Sequence, residues 1–293
     1  MILDKVKRWV PWQAKILAKI ITSRLPIHYR FWSRLGLFRH GQMDDYSYAW
    51  DVLHKHSAVL QGAKNWRGLE LGPGDGLLSS LLAPAAFSSG LVLLDVGDYA
   101  QKNIKHYLTQ VRGFIDEHPE IELPDYSAAT DVPSMLSKAN GRYLCEGLES
   151  LRSLEDESFD LIFSQAVLEH VRRAEFAEIM QESFRLVKTN GIVSHVIDFK
   201  DHLGGALNNM RISSHLWEHP WFAARSGFYT NRLRLSEVVM ICERIGFSVE
   251  VCNVRRWDES PINRIQLAHE FDHLSDEDLC VSGAHLIMRR QRA

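Results

Sequence analysis

The chain lacks several patterns that would mark other classes of protein. It has only four cysteines in 293 residues, and no two of them form a C-x-x-C pair. This usage indicates neither a disulfide framework nor a cysteine-rich zinc site, and it fits a reducing compartment. No apolar run reaches the roughly 18 residues of a transmembrane helix, and lysines interrupt the only apolar stretch near the N-terminus. We therefore expect no signal peptide and a soluble, cytoplasmic protein.

The chain also lacks a surplus of positive charge. It carries 37 Asp and Glu residues against 34 Lys and Arg residues, which gives a formal net charge of -3. Proteins that coat nucleic acids through phosphate contacts usually carry a basic surplus. We therefore predict no nucleic-acid partner. The hydrophobic fraction of 45% and the charged fraction of 24% are those of an ordinary globular protein.

From Trp66 onward, short apolar runs alternate with helical patterns. The predicted strands are Gly68–Leu71, Leu91–Val96, Tyr143–Cys145, Phe159–Ser164, Gly191–Ile197, Phe247–Val254 and Ala284–Met288. The predicted helices are Leu77–Leu82, Asp98–His118, Ala174–Val187 and Ser236–Ile245. Such alternation predicts an α/β protein with a doubly wound, largely parallel sheet. Gly246 is expected to end the last of these helices.

Two segments fall outside this alternation and set the predicted domain organisation. Residues 1–60 form a helical extension or lid, and residues 61–293 form one α/β domain with a cap inserted at about 200–233. The first 25 residues hold six Lys and Arg residues and one Asp. Apolar residues at helical spacing make this segment an amphipathic basic helix, which either lies on an anionic membrane surface or packs on the protein's own core.

A glycine-rich loop carries the clearest chemical signal. Glu70–Gly76 reads E-x-G-x-G-x-G between a predicted strand and a predicted helix. Alternate glycines let the chain turn tightly and let a ligand approach the backbone. Leu77 stands where a dinucleotide site would have its third glycine, and the Gly-Lys-Ser/Thr of a phosphate-binding P-loop is absent. Asp95 ends the second strand, where a carboxylate can bind a ribose diol.

These features resemble those of class I S-adenosylmethionine-dependent methyltransferases. The resemblance rests on the glycine loop, on Asp95, on the run Phe159–Val171 and on Arg185–Gly191, and it spans about residues 66–196. It implies a Rossmann-like sheet of seven strands with the last strand antiparallel. It also implies S-adenosyl-L-methionine as cofactor and S-adenosyl-L-homocysteine as product. Ser164-Gln165-Ala166-Val167 replaces the Asn/Asp-Pro-Pro-Tyr/Phe type of motif of nucleic-acid methyltransferases.

The resemblance also implies a role for each cofactor-binding residue. At the methionine end, Gly72 and Gly74 would pass under the cofactor. Glu70 would face its amino group directly or through water, and Ser164 and Gln165 would line the methyl end.

At the nucleoside end, Asp95 would bind the ribose hydroxyls and Val96 would pack on the adenine. Gly147 and Leu148 follow the third strand, where relatives often place Asp-Ala against the adenine edge. No Asp stands at that register in this chain.

A finer resemblance points to methyltransferases of bacterial surface-polysaccharide biosynthesis. It rests on residues 38–45, 148–170, 194–207 and 226–232. It implies O-methylation of a sugar in a surface glycan or its nucleotide- or lipid-linked precursor, with the basic helix at the inner membrane face. The alternatives are O-, N- or C-methylation of a small metabolite or natural product, and a methyltransferase-fold scaffold without turnover. A homo-oligomer is compatible with each reading.

Candidate catalytic residues cluster after the fifth strand, where open α/β sheets bind ligands. His202 and Asp198 are the preferred general bases, and Asp201 could orient an imidazole. His195 is a further candidate, on the opposite face of the strand from Asp198. The same residues could instead anchor the cap. The spacing H-x-x-D-x-x-D-H is no recognised metal pattern, so we predict no metal site.

Overall fold

The computed structural model describes residues 11–14, 16, 17, 21, 42–223 and 228–291. Within them, seven strands form one sheet in the order β3-β2-β1-β4-β5-β7-β6. The strands are β1 Trp66–Leu71, β2 Ser88–Leu94, β3 Arg142–Leu144, β4 Phe159–Gln165, β5 Val187–Asp198, β6 Phe247–Arg256 and β7 Val281–Arg290. The last strand, β7, pairs antiparallel with both of its neighbours. The predicted Rossmann-like methyltransferase sheet is thereby confirmed.

Helices cover both faces of this sheet. They are α1 Tyr46–Ser57, α2 Leu78–Leu82, α3 Ile104–Glu117, α4 Val132–Lys138, α5 Leu148–Arg152, α6 Arg173–Leu186, α7 Ser214–Trp217, α8 Pro220–Ala223, α9 Leu235–Ile245 and α10 Asp276–Leu279. Gly246 ends α9 with a φ of +116°, as predicted. Among the described residues, no helix is long and apolar enough to cross a membrane.

Burial on both faces explains the continuous apolar runs of the central strands. Leu91, Leu161 and Phe163 belong to the core on the face that α1 to α4 cover. Leu69 and Ile162 belong to the core on the opposite face, under α6 and α9. Because β1, β2, β4 and β5 run parallel, their carboxyl ends meet at one edge of the sheet. This edge is where ligands bind in open α/β sheets.

Local hydrogen bonds move some predicted boundaries. The third helix begins at Ile104 and not at Asp98, because the Asn103 side chain accepts a hydrogen bond from the Lys105 amide at 3.1 Å and caps it. The fifth strand begins at Val187, opposite Phe159, and its register then shifts. The predicted helix over Ala174–Val187 therefore ends one residue earlier, at Leu186.

Helix α4 is not among the helices predicted from the sequence, although its start carries a recognisable capping signal. Asp131 caps the helix by accepting a hydrogen bond from the Ser134 amide at 2.8 Å, and Ser134 reciprocates in a capping box. Pro133 stands in the first turn, where its missing N–H has no helical partner to lose. The D-x-P-S pattern could have predicted this short helix.

The described part of the N-terminal segment packs on the cap. Ile16 is buried against Trp217, Phe222 and other residues of the cap's aromatic cluster. Leu17 and Ile21 are 60% and 55% exposed. Lys15 and Lys19, which would form the predicted basic face, lie outside the described residues.

Helix α1 contributes a buried histidine to one face of the sheet. The His56 Nδ1 atom lies 2.8 Å from the Ser194 hydroxyl, which lies 2.8 Å from His285 Nε2. On the opposite face, His195 Nδ1 is hydrogen-bonded to the Ser164 hydroxyl at 2.8 Å. Burial lowers the pKa of His195 to about 3 and the pKa of His56 well below its usual range. Both rings are therefore neutral in the folded protein near pH 7.

The His195→Gln variant should lose less unfolding free energy at low pH than the wild type does. The unfolded chain protonates this histidine below about pH 6.5 and the folded chain does not, so the ring destabilises the fold as pH falls. The unfolding free energy of the wild type relative to the variant should be constant above pH 7. Below pH 6 it should decrease by about 1.4 kcal/mol per pH unit. Urea unfolding at several pH values measures this difference, and parallel curves for the two proteins would contradict the assignment.

Candidate cofactor site and acceptor edge

The glycine loop after β1 follows a path that requires glycine at two positions. Gly72 and Gly74 have φ values of +69° and +65°, in the left-handed region that side chains disfavour. A Cβ atom on Gly72 would lie 2.5 Å from Val167 Cγ1. A Cβ atom on Gly76 would lie 1.9 Å from the Met43 carbonyl oxygen. The loop is therefore enclosed between the turn after β4 and the segment that precedes α1.

Asp95 joins the ends of β1, β2 and β3. Its carboxylate accepts hydrogen bonds from the amides of Gly74 at 3.1 Å and Val96 at 2.7 Å. Its own amide donates to the Leu144 carbonyl, and its carbonyl accepts from the Gly147 amide, each at 2.9 Å. This acidic side chain therefore fixes the glycine loop against the strand end at which a ribose would bind.

An apolar surface lies beside this carboxylate. Val96 is 73% exposed, and Tyr99 is also exposed. Gly147 passes close beneath Val96: a Cβ atom there would lie 3.2 Å from Val96 Cγ1. Leu148 follows as the half-buried first residue of α5. A carboxylate next to an exposed apolar side chain matches the chemistry of a nucleoside, with a ribose diol on one part and an adenine face on the other.

Glu70 and Ser164 are buried at the ends of β1 and β4. The Glu70 side chain is 1% exposed and accepts a hydrogen bond from the Ser79 hydroxyl. Burial raises the pKa of Glu70 to about 7. Ser164 is also fully buried, and its hydroxyl is hydrogen-bonded to His195. Gln165 is half-buried and accepts a hydrogen bond from Lys55 Nζ at 3.3 Å.

The general-base candidates have unlike surroundings. Asp198 is the last residue of β5, and its carboxylate lies 3.3 Å from Lys200 Nζ. His202 is half-buried, with its ring centroid 4.7 Å from that of His170. His195 is fully buried, so the structure does not bring it to the edge with these two residues. Asp201 accepts backbone hydrogen bonds from four amides, including Leu203 and Asn208, and so organises the loop and not an imidazole.

A carboxyl group that sequence reasoning set aside also lies at this edge. From the sequence alone, Glu169 is expected to have a capping or packing role near a helix start. Its side chain is buried and its Oε2 atom has no hydrogen-bond partner in the described part of the chain. Burial raises the pKa of Glu169 to about 8, and the charge of Asp198 adds to the increase. A carboxylate between Leu168 and His170, directly after an apolar strand, was the available signal.

The cap's aromatic and basic residues are largely internal. Trp217 and Phe228 are fully buried in the cap's own cluster. Arg232 donates to the Asn209 and Ile212 carbonyl oxygens. Arg234 donates to the carbonyl oxygens of three residues, Phe199, Asp278 and Val281. Arg232 therefore holds the cap together from within, and Arg234, directly after the cap, joins its end to the rest of the domain.

Among the residues whose positions are described, no group of three or more His, Cys, Asp or Glu side chains could hold a metal ion.

The part of the chain that forms this site matches one known protein family. Residues 69–194, which include the glycine loop, Asp95 and most of β5, match the family described as "Methyltransferase domain". The matched segment is less than half of the chain and is similar to a methyltransferase domain. Together with the sheet order, this makes the protein a transferase with S-adenosyl-L-methionine as methyl donor and S-adenosyl-L-homocysteine as product.

Solved structures with a similar fold come from several kingdoms. The YcgJ protein of Bacillus subtilis is 18% identical, with 82% of this chain and 100% of that chain covered and a TM-score of 0.44. A Haemonchus contortus phosphoethanolamine N-methyltransferase 2 is 14% identical, with 84% of this chain and 53% of that chain covered and a TM-score of 0.44. An arsenic(III) methyltransferase of Chlamydomonas reinhardtii is 14% identical, with 83% of this chain and 74% of that chain covered and a TM-score of 0.45. Similarity at this level carries no information about the acceptor. No curated protein matches the sequence.

The Asp95→Ala variant should lose most of its affinity for S-adenosylmethionine. A hydrogen bond to a charged group contributes about 1.5–3 kcal/mol, so the dissociation constant should rise by roughly 10- to 150-fold. Calorimetric titration of both proteins measures the change. Asp98→Ala is the matched control, because Asp98 is an exposed carboxylate paired only with Lys102 in the described contacts. Equal affinity of the Asp95 variant and the wild type would contradict the assignment.

Proposed function

We propose that this methyltransferase transfers a methyl group to a hydroxyl of a sugar, in a bacterial surface glycan or in its nucleotide- or lipid-linked precursor. The observation that carries the proposal is the position of Asp198 and His202, at and beyond the same sheet edge as the Asp95 site. The resemblance to polysaccharide-associated enzymes adds the class of acceptor.

On the cofactor side, the fit rests on the glycine loop and Asp95. Gly72 and Gly74 would give a backbone without side chains along the methionine part, Asp95 would accept from the ribose hydroxyls, and Val96 would pack on the adenine. Glu70 would face the amino group directly or through water. The bound cofactor supplies a sulfonium methyl group that an in-line nucleophile can displace.

On the acceptor side, the chain must position a hydroxyl and remove its proton. Positioning alone contributes about 7–11 kcal/mol to such reactions. A hydroxyl is a poor nucleophile until a base takes its proton, which typically adds about 10²–10⁴-fold. His202 and Asp198 are the residues at this edge that can do so. His195 stays a structural partner of Ser164, because its buried ring has no access to the acceptor.

A small metabolite is the second candidate acceptor. The burial of Trp217 and Phe228 in the cap's own cluster favours it, because these rings are then not available as a stacking surface for a glycan. A screen separates the two candidates. Nucleotide sugars, glycan fragments and small phenols, amines and thiols are incubated with S-adenosylmethionine, and S-adenosylhomocysteine formation is measured. Methylated sugar products support the proposal, and turnover confined to small metabolites contradicts it.

Substitution of the two base candidates should identify the general base. His202→Ala or Asp198→Asn should lower kcat by about 10²–10⁴-fold, with the affinity for S-adenosylmethionine unchanged. His215→Ala, at an exposed histidine of the cap, is the control and should keep wild-type turnover. The assignment is wrong if both variants turn over at near the wild-type rate.

The protein's position in the cell forms a separate part of the proposal. We place it in the cytoplasm, with the N-terminal helix on the inner membrane face, where lipid-linked precursors lie. The exposed side chains of Leu17 and Ile21, four residues apart on one helix face, support this, as does the basic composition of the first 25 residues. Ile16 on the same helix packs on the cap, so contact with a membrane would bring the cap to the lipid surface.

Vesicle binding tests this membrane contact. The protein should co-sediment with phosphatidylglycerol vesicles, and raising the salt from about 0.05 M to about 0.5 M should weaken the binding by screening. The Leu17→Ser/Ile21→Ser double variant should bind more weakly. Phosphatidylcholine vesicles are the control. Absence of binding to anionic vesicles at low salt would overturn the membrane contact and leave the enzymatic proposal intact.

A further inference from the structure

A small polar cavity lies where the cap meets the carboxyl ends of β4 and β5. Its lining includes Glu169 from the turn after β4, Asp198 and Lys200 from the end of β5, and Asn209 and Arg232 from the cap. It has room for about one water molecule. The cavity is separate from the glycine loop and from Asp95, and it lies on the acceptor side of the edge.

Three buried atoms around this cavity have no hydrogen-bond partner among the described residues. They are Glu169 Oε2, Asn209 Oδ1 and Arg232 Nε. Buried polar groups are nearly always hydrogen-bonded, and an unpaired one costs free energy. Three unpaired polar groups around one cavity therefore point to a bound polar atom that completes their hydrogen bonds.

The cavity walls are held firmly. The Asn231 amide donates to the Glu169 carbonyl at 2.7 Å, and the Asn231 side chain donates to the Leu168 carbonyl at 2.7 Å. The Asn209 side-chain nitrogen donates to the Thr230 hydroxyl at 2.8 Å, which leaves Asn209 Oδ1 as an acceptor. The Asn209 amide is thus held by its bond to Thr230, and the turn that carries Glu169 is held to the cap.

The occupant must be able both to donate and to accept. Asn209 Oδ1 accepts only, and Arg232 Nε–H donates only. Burial raises the pKa of Glu169 and the charge of Asp198 adds to the increase, which favours the protonated form that can donate as well as accept. A hydroxyl group has the size and the hydrogen-bonding capacity of the single water that fits here.

The cavity mouth is the more exposed part of the lining. The Asp198 and Lys200 side chains are 25% and 37% exposed, whereas Glu169, Asn209 and Arg232 are buried. We propose that the cavity is an anchoring subsite, in which one hydroxyl of the acceptor displaces a water and binds to Glu169 and Asn209. The carbon skeleton of the acceptor then lies at the mouth beside Asp198. This inference rests on the proposed hydroxyl-bearing acceptor and adds a specificity site to it.

The test compares the acceptor found by the screen with its complete set of mono-deoxy analogues. For the wild type, removal of one particular hydroxyl, other than the methylated one, should lower kcat/KM by about 10- to 100-fold. In Glu169→Leu this penalty should shrink to about threefold or less, because the apolar side chain makes no bond to lose. Glu169→Gln keeps a donor and an acceptor and should preserve the penalty. Glu175→Gln, an exposed carboxylate on α6, is the matched control.

The outcomes separate this inference from the proposed function. Thermal melting and affinity for S-adenosylmethionine report whether Glu169→Leu is folded, and Asn209→Ala replaces it if it is not. A methylated sugar whose deoxy penalties are the same in the wild type and the cavity variant overturns the subsite and leaves the proposed function standing. Failure of the wild type to methylate any hydroxyl-bearing acceptor overturns both.

Discussion

The candidate site depends on the hydrogen bonds that the Asp95 carboxylate accepts from backbone amides. This carboxylate lies at the end of a buried strand and binds the amides of Gly74 and Val96, so it sets the path of the glycine loop and of the turn after β2 together. Its backbone also joins the ends of β2 and β3. A charged group in this position is costly to bury, and backbone donors stabilise it before any ligand binds. The cofactor side of the edge is thus largely formed in advance.

The acceptor side is built differently, by segments distant in sequence. The chain after β5 folds back over the strand ends and is held by buried side chains that donate to backbone carbonyls, chiefly Asn231, Arg232 and Arg234. Arg232 also lies over the rings of Trp217 and Phe271, which joins the cap to the segment between β6 and β7.

Features encoded by neighbouring residues could be predicted from the sequence. The glycine loop, Asp95 and the alternation of strands and helices each depend on a few consecutive positions. The orientation of Glu70, Ser164 and His195 could not be predicted, because it depends on which helices cover each face of the sheet. The same holds for Arg232 and Arg234, because only the fold shows that Arg232 binds carbonyl oxygens within the cap and that Arg234 binds carbonyl oxygens outside it.

The surroundings of Glu169 could not be predicted from the sequence either. A carboxyl group after an apolar strand is compatible with a helix cap, with packing or with a ligand contact. The choice depends on Asn209 and Arg232, which are 40 or more positions away in the chain and reach Glu169 only because the cap folds over the strand ends.

A crystal structure of the protein with S-adenosylhomocysteine bound would test the central claim most directly. We expect the ribose hydroxyls on the Asp95 carboxylate, the adenine against Val96, and the sulfur directed toward the side of the edge that holds Asp198 and His202. A ligand bound elsewhere, or one whose sulfur points away from Asp198 and His202, would contradict the account.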